Sequence, residues 1–513
     1  MITVKEYRGH IRNHKRLCEE LGISPELNRP EREEQILIKG FNKWGTMIGN
    51  HLHGMFAFAL WDDKENSLFC VRDHFGTKPF YYYETADGNL LYGTMIRDII
   101  NQPGFEMKLN KDMLQIYLTL TYVGGEETFF KGLKKLMPGH YMVWKDGKVN
   151  IEKYWEPVFT PDETKTEEEW ANEIDTTLRE IMQELNDDGE YTETFLSGGV
   201  DSSYILAVSD AKVSNSCGYE DERFDESRLA KQTAELLNKE NRRCVITPEK
   251  YFKAIPYVVR NMEQPLGDAS AVAFAISCME VANHTKVCFS GEGADEFFGG
   301  YNMYGNADRY GDNLSSFYVG NTNIMKEDEK ERILKEYNPE IKPISLVQGL
   351  YENLEGKDPL TKMTAVDINL WLEGDIYLNV DKMGEAAGLE VRMPLTDRRI
   401  FDIASRMPSK YKATSEKNKI AFRKAASKIL PEEIAYRKKL GFLVPIRIWL
   451  ADSRYNQDVV RLFDSDIADM FFEKTEIQAI FNEFINGASD NWRKVWTIYI
   501  FLVWYERYFI KGN

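Results

Sequence analysis

Between Phe195 and Ser203 the chain reads FLSGGVDSS, a string that constrains the fold more than any other in the sequence. An apolar run ends in two consecutive glycines, which let the backbone turn sharply, and the turn leads directly into YILAVSD, patterned as a helix. A strand that passes through glycine into a helix aims the first helical amides, with their partial positive charge, at whatever fills the turn. Ser197, Ser202 and Ser203 add hydroxyls, so a phosphate oxyanion is the best-matched guest. Asp201 stands beside that position, where a carboxylate repels phosphate unless a hard cation bridges the two; magnesium is therefore implied. A bare Ser-Gly-Gly is more often an ordinary strand-to-helix turn, but the full string, set between an apolar strand end and a helix, favours the phosphate reading.

From Trp170 onward the same alternation repeats: NSCGY, a helix through RLAKQTAELL, RRCVIT, and later KVCFSGEG. Short apolar runs separated by helical patterns predict an α/β fold with a doubly wound parallel sheet, and beyond Asn302 the pattern predicts a helical extension. The segment FSGEGADEFFGGY, Phe289 to Tyr301, also leaves a strand through glycine. In such a sheet the loops at the carboxyl ends of neighbouring strands face one crevice, which would let Asp295 share a cation with Asp201. Glu292 in that loop is a candidate base for an attacking amine, with a solvated loop acid as the plainer alternative. In YRKKLGF, Lys439 precedes a glycine, where a positioned ammonium can stabilise developing negative charge without a proton transfer; Lys419, in EKNKIAFRKAA, is a second cation at a helix start. Arg437, Lys438 and Lys439 together form a cluster sized for one polyphosphate.

The first third has a different grammar. MFAFALWD, LFCVRD, PFYYY, LLYG and HYMVWK, separated by DDKENS, ADGN and paired Pro-Gly and Asp-Gly turns, predict antiparallel hairpins over a core. After YWEP the sequence changes to the acidic TPDETKTEEEW, which suits a new helix start, so two domains are expected, 1–157 and 158–513. A formal charge of -17 opposes nucleic acid and anionic membranes. No apolar stretch is long enough to span a bilayer, the opening residues do not read as a secretory signal, and the six cysteines show no CxxC spacing. A cytoplasmic protein acting on small molecules is expected.

The full SGGxDSS string resembles the signature of the ATP pyrophosphatases, which cleave ATP between its alpha and beta phosphates. Taken in order, FLSGGVDSS, GYEDERFDES, FSGEGADEFFGGY, GLEVRMPLTD and RKKLGFLVPIRIWL resemble the synthetase domain of glutamine-dependent asparagine synthetases. This resemblance implies that Ser197, Gly198, Gly199 and Ser202 contact ATP phosphates, that Asp201 and Asp295 hold Mg2+, and that Lys419 and Lys439 contact the triphosphate and pyrophosphate. It further assigns Leu196 and the backbone of Cys217 to the nucleotide pocket, and Ser290 and Gly291 to the ribose. The related beta-lactam synthetases carry tyrosine where this chain has Glu292, which favours ammonia or a small amine over ring closure. Asp375, Asp381 and Glu390 are expected to anchor helices before they line an acid pocket.

The N-terminal part resembles the family's glutaminase through HGMFAFALWD, VRDHFGTKPFYYY and GLKKLMPGHYMVW, implying a truncated α+β N-terminal-nucleophile-hydrolase-like domain. It departs from that pattern at the chemistry. Those glutaminases use an N-terminal cysteine, whereas this chain begins Met1-Ile2; Arg8, Gly9 and His10 replace Asn-Gly-Glu, and Glu33 aligns with an aspartate. Glutamine hydrolysis is therefore not expected. A homodimer or partner protein is expected to cover apolar sheet surface left exposed by the truncation. The function expected is adenylation of a carboxylate, aspartate by default, followed by transfer of ammonia or an amine. A sugar-acid, peptide or specialised-metabolite carboxylate, a subunit of a split synthetase, a tRNA-modifying enzyme and a binding subunit without catalysis are the alternatives, the last two opposed by the acidic charge and the intact motifs.

Overall fold

Period-2 alternation in GMFAFALWD sorts its side chains into two layers. In a computed structural model, which describes residues 1–186, 189–438, 441, 443–488 and 490–512 with the side chain of Asp312 excepted, Phe56, Phe58 and Leu60 join one apolar cluster while Ala57 and Ala59 join another. Strands β1 (Ile2–Ile11), β2 (Gly54–Asp62) and β3 (Ser67–Arg72) are followed by β4 (Tyr81–Glu84), β5 (Leu90–Gly93), β6 (Lys134–Lys135), β7 (His140–Lys145) and β8 (Lys148–Lys153). They form an antiparallel sheet ordered β1-β2-β3-β7-β8 and a smaller one ordered β5-β4-β6. Two helices, His14–Leu21 and Arg29–Trp44, contribute Leu17, Ile36 and Leu37 to the first cluster. The hairpin reading of the first third thus missed these helices. Both faces of β2 and β3 are covered within the chain, so the apolar sheet surface expected to need a partner is not found on these strands.

The second sheet is parallel throughout. Its strands are β9 (Thr192–Phe195), β10 (Val213–Gly218), β11 (Glu240–Val245), β12 (Val287–Phe289) and β13 (Glu390–Arg392), in the order β11-β10-β9-β12-β13. The chain winds outward from β9 in one direction and then from β12 in the other. The gap between the loops that follow β9 and β12 is consequently the switch point at which doubly wound sheets bind ligands. Glu390 lies on β13 and not on a helix, where its carboxylate meets Arg29 at 2.7 Å and Arg392 at 2.6 Å.

The two parts share a core and a seam of buried charge. Phe75 packs on Phe297 and Phe401 with ring centroids 5.4 and 5.5 Å apart. Asp381 takes Arg8 at 2.8 Å and Lys78 at 2.7 Å; Glu373 takes Arg72 at 2.9 Å and Lys135 at 2.8 Å; Arg12 meets Asp397 at 2.8 Å. Asp381 therefore anchors its helix to the N-terminal part.

Candidate functional site

The loop after β9 is held by its own hydroxyls. The amide of Ser197 donates to Ser202 Oγ at 3.2 Å and that of Gly199 to Ser197 Oγ at 3.3 Å, which winds the turn into the helix Val200–Val208. Gly198 has φ +83°, and a Cβ there would stand 2.7 Å from the backbone nitrogen of Ala230, so only glycine lets the helix Ser227–Leu236 approach. Arg437 donates to the Gly198 carbonyl at 2.6 Å and to Thr233 Oγ1 at 3.2 Å. Arg423 in turn donates to the carbonyls of Ala435 and Arg437, each at 2.9 Å. Arg437, read as part of a polyphosphate cluster, is used here to brace the turn.

The loop after β12 meets the first loop at Lys419. The Lys419 ammonium lies 2.6 and 2.5 Å from the two oxygens of Asp201 and 2.8 Å from Asp295, with its side chain 1% exposed. Lys419 caps the helix Ile420–Ala426 with φ +50°, a left-handed conformation that costs a residue bearing a Cβ energy and is kept where the surroundings demand it. Gly300 makes room for the pair, since a Cβ there would fall 1.7 Å from Asp295 Oδ1 and 2.4 Å from Lys419 Cε. Two carboxylates converging on one cationic centre are a donor set that fits magnesium, which takes one or two carboxylates and completes its shell with phosphate and water. Among the described residues no cluster of three or more His, Cys, Asp or Glu side chains would hold a metal unaided.

Around this centre lies a cavity of about 480 Å3 whose lining includes Leu196, Ser197, Gly198, Gly199, Asp201, Ser202, Cys217, Ser290, Gly291, Glu292, Asp295 and Lys419. Twelve residues singled out from the sequence thus meet in one space. Lys439 lies outside the described residues. Ser290 Oγ donates to Glu292 Oε1 at 3.2 Å. Burial pushes the Cys217 thiol up to about 12, so this cysteine is no nucleophile and offers the cavity its backbone and its bulk. Phe195 and Phe274, ring centroids 5.3 Å apart, give the same space an apolar wall. Sequence reasoning missed Asp268, Trp371 and Asn379, which also line it, and gave no role to Tyr301 at the end of the loop after β12; Trp371 and Asn379 lie on helical segments with no glycine turn or charge cluster to draw the eye.

The N-terminal residues aligned with a glutamine pocket are committed elsewhere. Arg8 is paired with Asp381, and Glu33 accepts the Ile11 amide at 2.9 Å. Burial, followed by the charge of Arg392, holds His10 neutral. Cys18 and Cys70 are both buried, and burial raises both thiols. No helix among the described residues is long and apolar enough to cross a membrane.

Comparison with known proteins agrees with this architecture. The asparagine synthase family model matches residues 173–506, and a glutamine amidotransferase domain model matches residues 3–155. Asparagine synthetase [glutamine-hydrolyzing] 1 of Bacillus subtilis is 31% identical over 98% of this chain and 85% of its own length. A putative asparagine synthetase [glutamine-hydrolyzing] of Mycobacterium bovis is 28% identical over 97% of this chain and 83% of its own. Amidase chyE of Penicillium rubens is 28% identical over 53% of this chain and 43% of its own. With one family model spanning more than half the chain and a relative alike along nearly all of it, this protein belongs to the asparagine synthetase family of ATP-dependent, amide-forming carbon–nitrogen ligases.

Proposed function

We propose that the chain adenylates a carboxylate and then passes ammonia or a small amine to the activated carbonyl, without hydrolysing glutamine itself. The observation that carries this reading is Lys419 bridging Asp201 and Asp295 at the mouth of the loop after β9. In the first half-reaction a substrate carboxylate oxygen attacks the alpha phosphorus of ATP and pyrophosphate leaves. The helix Val200–Val208 presents its free amides, and Ser197 and Ser202 their hydroxyls, to the phosphates, while Lys419 offsets the charge that builds as they separate. Asp201 and Asp295 are the residues to hold magnesium, which when bound supplies countercharge to the phosphates. In the second half-reaction the amine attacks the acyl carbon, AMP leaves, and Glu292 accepts the proton that the amine sheds. Lys439 is assigned to the departing pyrophosphate.

Relatives named asparagine synthetases put aspartate first among the acids to try, and the more distant amidase keeps other carboxylates in view. Nitrogen from outside the chain is supported by the buried, raised thiols of Cys18 and Cys70 and by the engaged side chains of Arg8 and His10. Six free cysteines support a reducing, cytoplasmic setting. The test is product analysis with Mg-ATP and a panel of acids, with ammonium or glutamine as nitrogen source. Acid-dependent AMP and pyrophosphate are expected, with ammonium far better than glutamine. ADP and orthophosphate would refute the adenylation, and equal use of glutamine would refute the external nitrogen source.

A further inference from the structure

The helix that carries the phosphate turn, Val200–Val208, meets its neighbour Ser227–Leu236 through a small apolar cluster of Leu196, Leu206, Ala211, Ala230 and Ala234. Three of these five residues are alanines, so few side chains interlock and apolar contact alone resists sliding or tilting only weakly. At the near end polar groups supply the missing constraint. Gly198 is seated against Ala230, and Arg437 donates to the Gly198 carbonyl at 2.6 Å and to Thr233 Oγ1 at 3.2 Å. One fixed end still leaves a rod free to pivot about it.

The far end is fixed by Lys239. The chain leaves the helix Ser227–Leu236 through Asn238, whose φ of +52° is left-handed, and the Lys239 amide closes the turn on the Ala234 carbonyl at 2.9 Å. That turn sends the Lys239 side chain back across the neighbouring helix. Its ammonium donates to the carbonyls of Leu206 at 2.9 Å, Ser209 at 2.8 Å and Ala211 at 2.6 Å. Leu206 lies in the last turn of the phosphate helix, Ser209 is its C-cap, and Ala211 leads toward β10. Carbonyls at a helix C-terminus lack partners within the helix and carry the negative end of its dipole, so one cation with three donors answers both needs. Burial lowers the ammonium to about 8, with Lys212 adding to the effect and Asp210 opposing it, and at neutral pH the group keeps its charge. A lysine beside an exposed turn ordinarily keeps its head in water and its stem mobile; this one gives up both to join two helices.

We infer that Lys239 is a positioning residue for the nucleotide: by pinning the carboxyl end of the helix Val200–Val208, it fixes the direction in which the amides at the amino end point. A helix of 9 residues is a rod of about 13 Å, and a tilt allowed at one end is delivered at the other. Ser197 and Ser202, bonded to each other across the turn, move with it. Lys239 itself lies outside the cavity lining and touches none of the groups assigned to phosphate or magnesium. The inference rests on nucleotide binding at this turn, as proposed above, and does not depend on which carboxylate is activated.

The experiment measures Mg-ATP affinity of the full chain by calorimetry at neutral pH, with circular dichroism to show that each variant has folded. Lys239→Met keeps the stem and removes the three donors and the charge. Its Kd for Mg-ATP should rise about tenfold, the equivalent of weakening one charge-assisted hydrogen bond to phosphate. The KM for ATP should rise with it, while the KM for the acid stays unchanged. Lys239→Gln, which keeps two donors and loses the charge, should show a smaller rise, and reads the same quantity should Lys239→Met fail to fold. A role confined to capping the helix would lower the urea midpoint and leave nucleotide affinity alone. A Kd within about twofold of the parent in the folded variants, or an equal rise in both KM values, would therefore overturn the inference. A parent that binds Mg-ATP but releases no pyrophosphate with any acid would refute the adenylation and leave the Kd comparison standing.

Discussion

Replacing Lys419 with methionine keeps the length of the stem and deletes the ammonium that joins Asp201 to Asp295. Both carboxylates then lose a partner that sits within 2.8 Å and is 1% exposed. Removing one member of a buried pair costs about 3–5 kcal/mol, because the charge left behind is stranded. The two carboxylates are 21% and 14% exposed, however. Water recovers part of the loss, and we expect about 2–3 kcal/mol of destabilisation. Magnesium should reverse most of it, since a divalent cation between the same oxygens restores the missing charge and adds stability by mass action, about 2.7 kcal/mol at about 100 times its dissociation constant. The assay is urea denaturation followed by tryptophan fluorescence, in EDTA and in millimolar magnesium. Lys419→Met should be weakened in EDTA and largely restored by magnesium, whereas the parent protein, already compensated by its lysine, should respond much less. If Lys419→Met is as stable as the parent in EDTA, or equally weak in both buffers, the two aspartates do not form a shared cation centre.

Gly300→Ala would drive a methyl into Asp295 and Lys419, and the displacement should lower pyrophosphate release about 100-fold or more while leaving the fold intact by circular dichroism; near-parental activity would show that the pair tolerates movement. Glu292→Gln should lower amide formation by about 100-fold or more, while acid-dependent exchange of pyrophosphate into ATP persists; loss of both together would remove Glu292 from the second half-reaction. Acid should weaken the fold in two steps. Burial holds His53 at about 4 and His74 at about 3, against 6.5 in the unfolded chain, so the unfolded state takes up more protons and stability falls as pH drops from 6.5 toward 4. Glu390, raised by burial but pulled down to about 2 by Arg392 and Arg29, adds stability present above 4.5 and lost as pH falls toward 2. Urea midpoints that stay level from about pH 7.5 to about pH 5 would contradict the histidine step.

The phosphate loop and its partner were legible because their chemistry needs adjacent residues: glycines at the turn, hydroxyls beside them, and a carboxylate one position into the helix. The sheet was legible because strands buried on both faces read as short apolar runs between helical patterns. The helices His14–Leu21 and Arg29–Trp44 were not, since NHKRLCEEL and RPEREEQILIKGFNKW are rich in charge and bury only a narrow stripe in a region dominated by alternating strands. β13 is three residues long, too short to show a period, and so Glu390 read as helical. The cavity wall bearing Trp371, Ile376 and Asn379 was the hardest to see. A stretch buried nearly all round has no polar face to mark its pitch, and a π-turn has a period that amphipathic patterns do not sample. Asp268 and Asn379 reach the cavity through where the chain brings them, and only coordinates show that.

The N-terminal part has a physical use that does not depend on glutamine. Its cations hold carboxylates belonging to the segment that builds one wall of the cavity: Arg72 and Lys135 grip Glu373 within the π-helical stretch, and Arg8 and Lys78 grip Asp381 one helix on. Glu373 and Asp381 lie on either side of Ile376 and Asn379 in sequence, so these cavity-lining residues are suspended between two points fixed by the N-terminal part. Buried ion pairs of this kind add little net stability, because each charge gives up its hydration to enter the seam. They do specify geometry, since a carboxylate bonded at once to two cations has few positions open to it. A π-helix, short of packing along its own axis, gains most from such fixing, and the cavity wall built on it is held still by the seam. The same pairs explain why the two parts share one core: a hinge at this seam would strand Glu373 and Asp381 in a low-dielectric interior, and the rings of Phe75, Phe297 and Phe401 close over the junction where such a hinge would open.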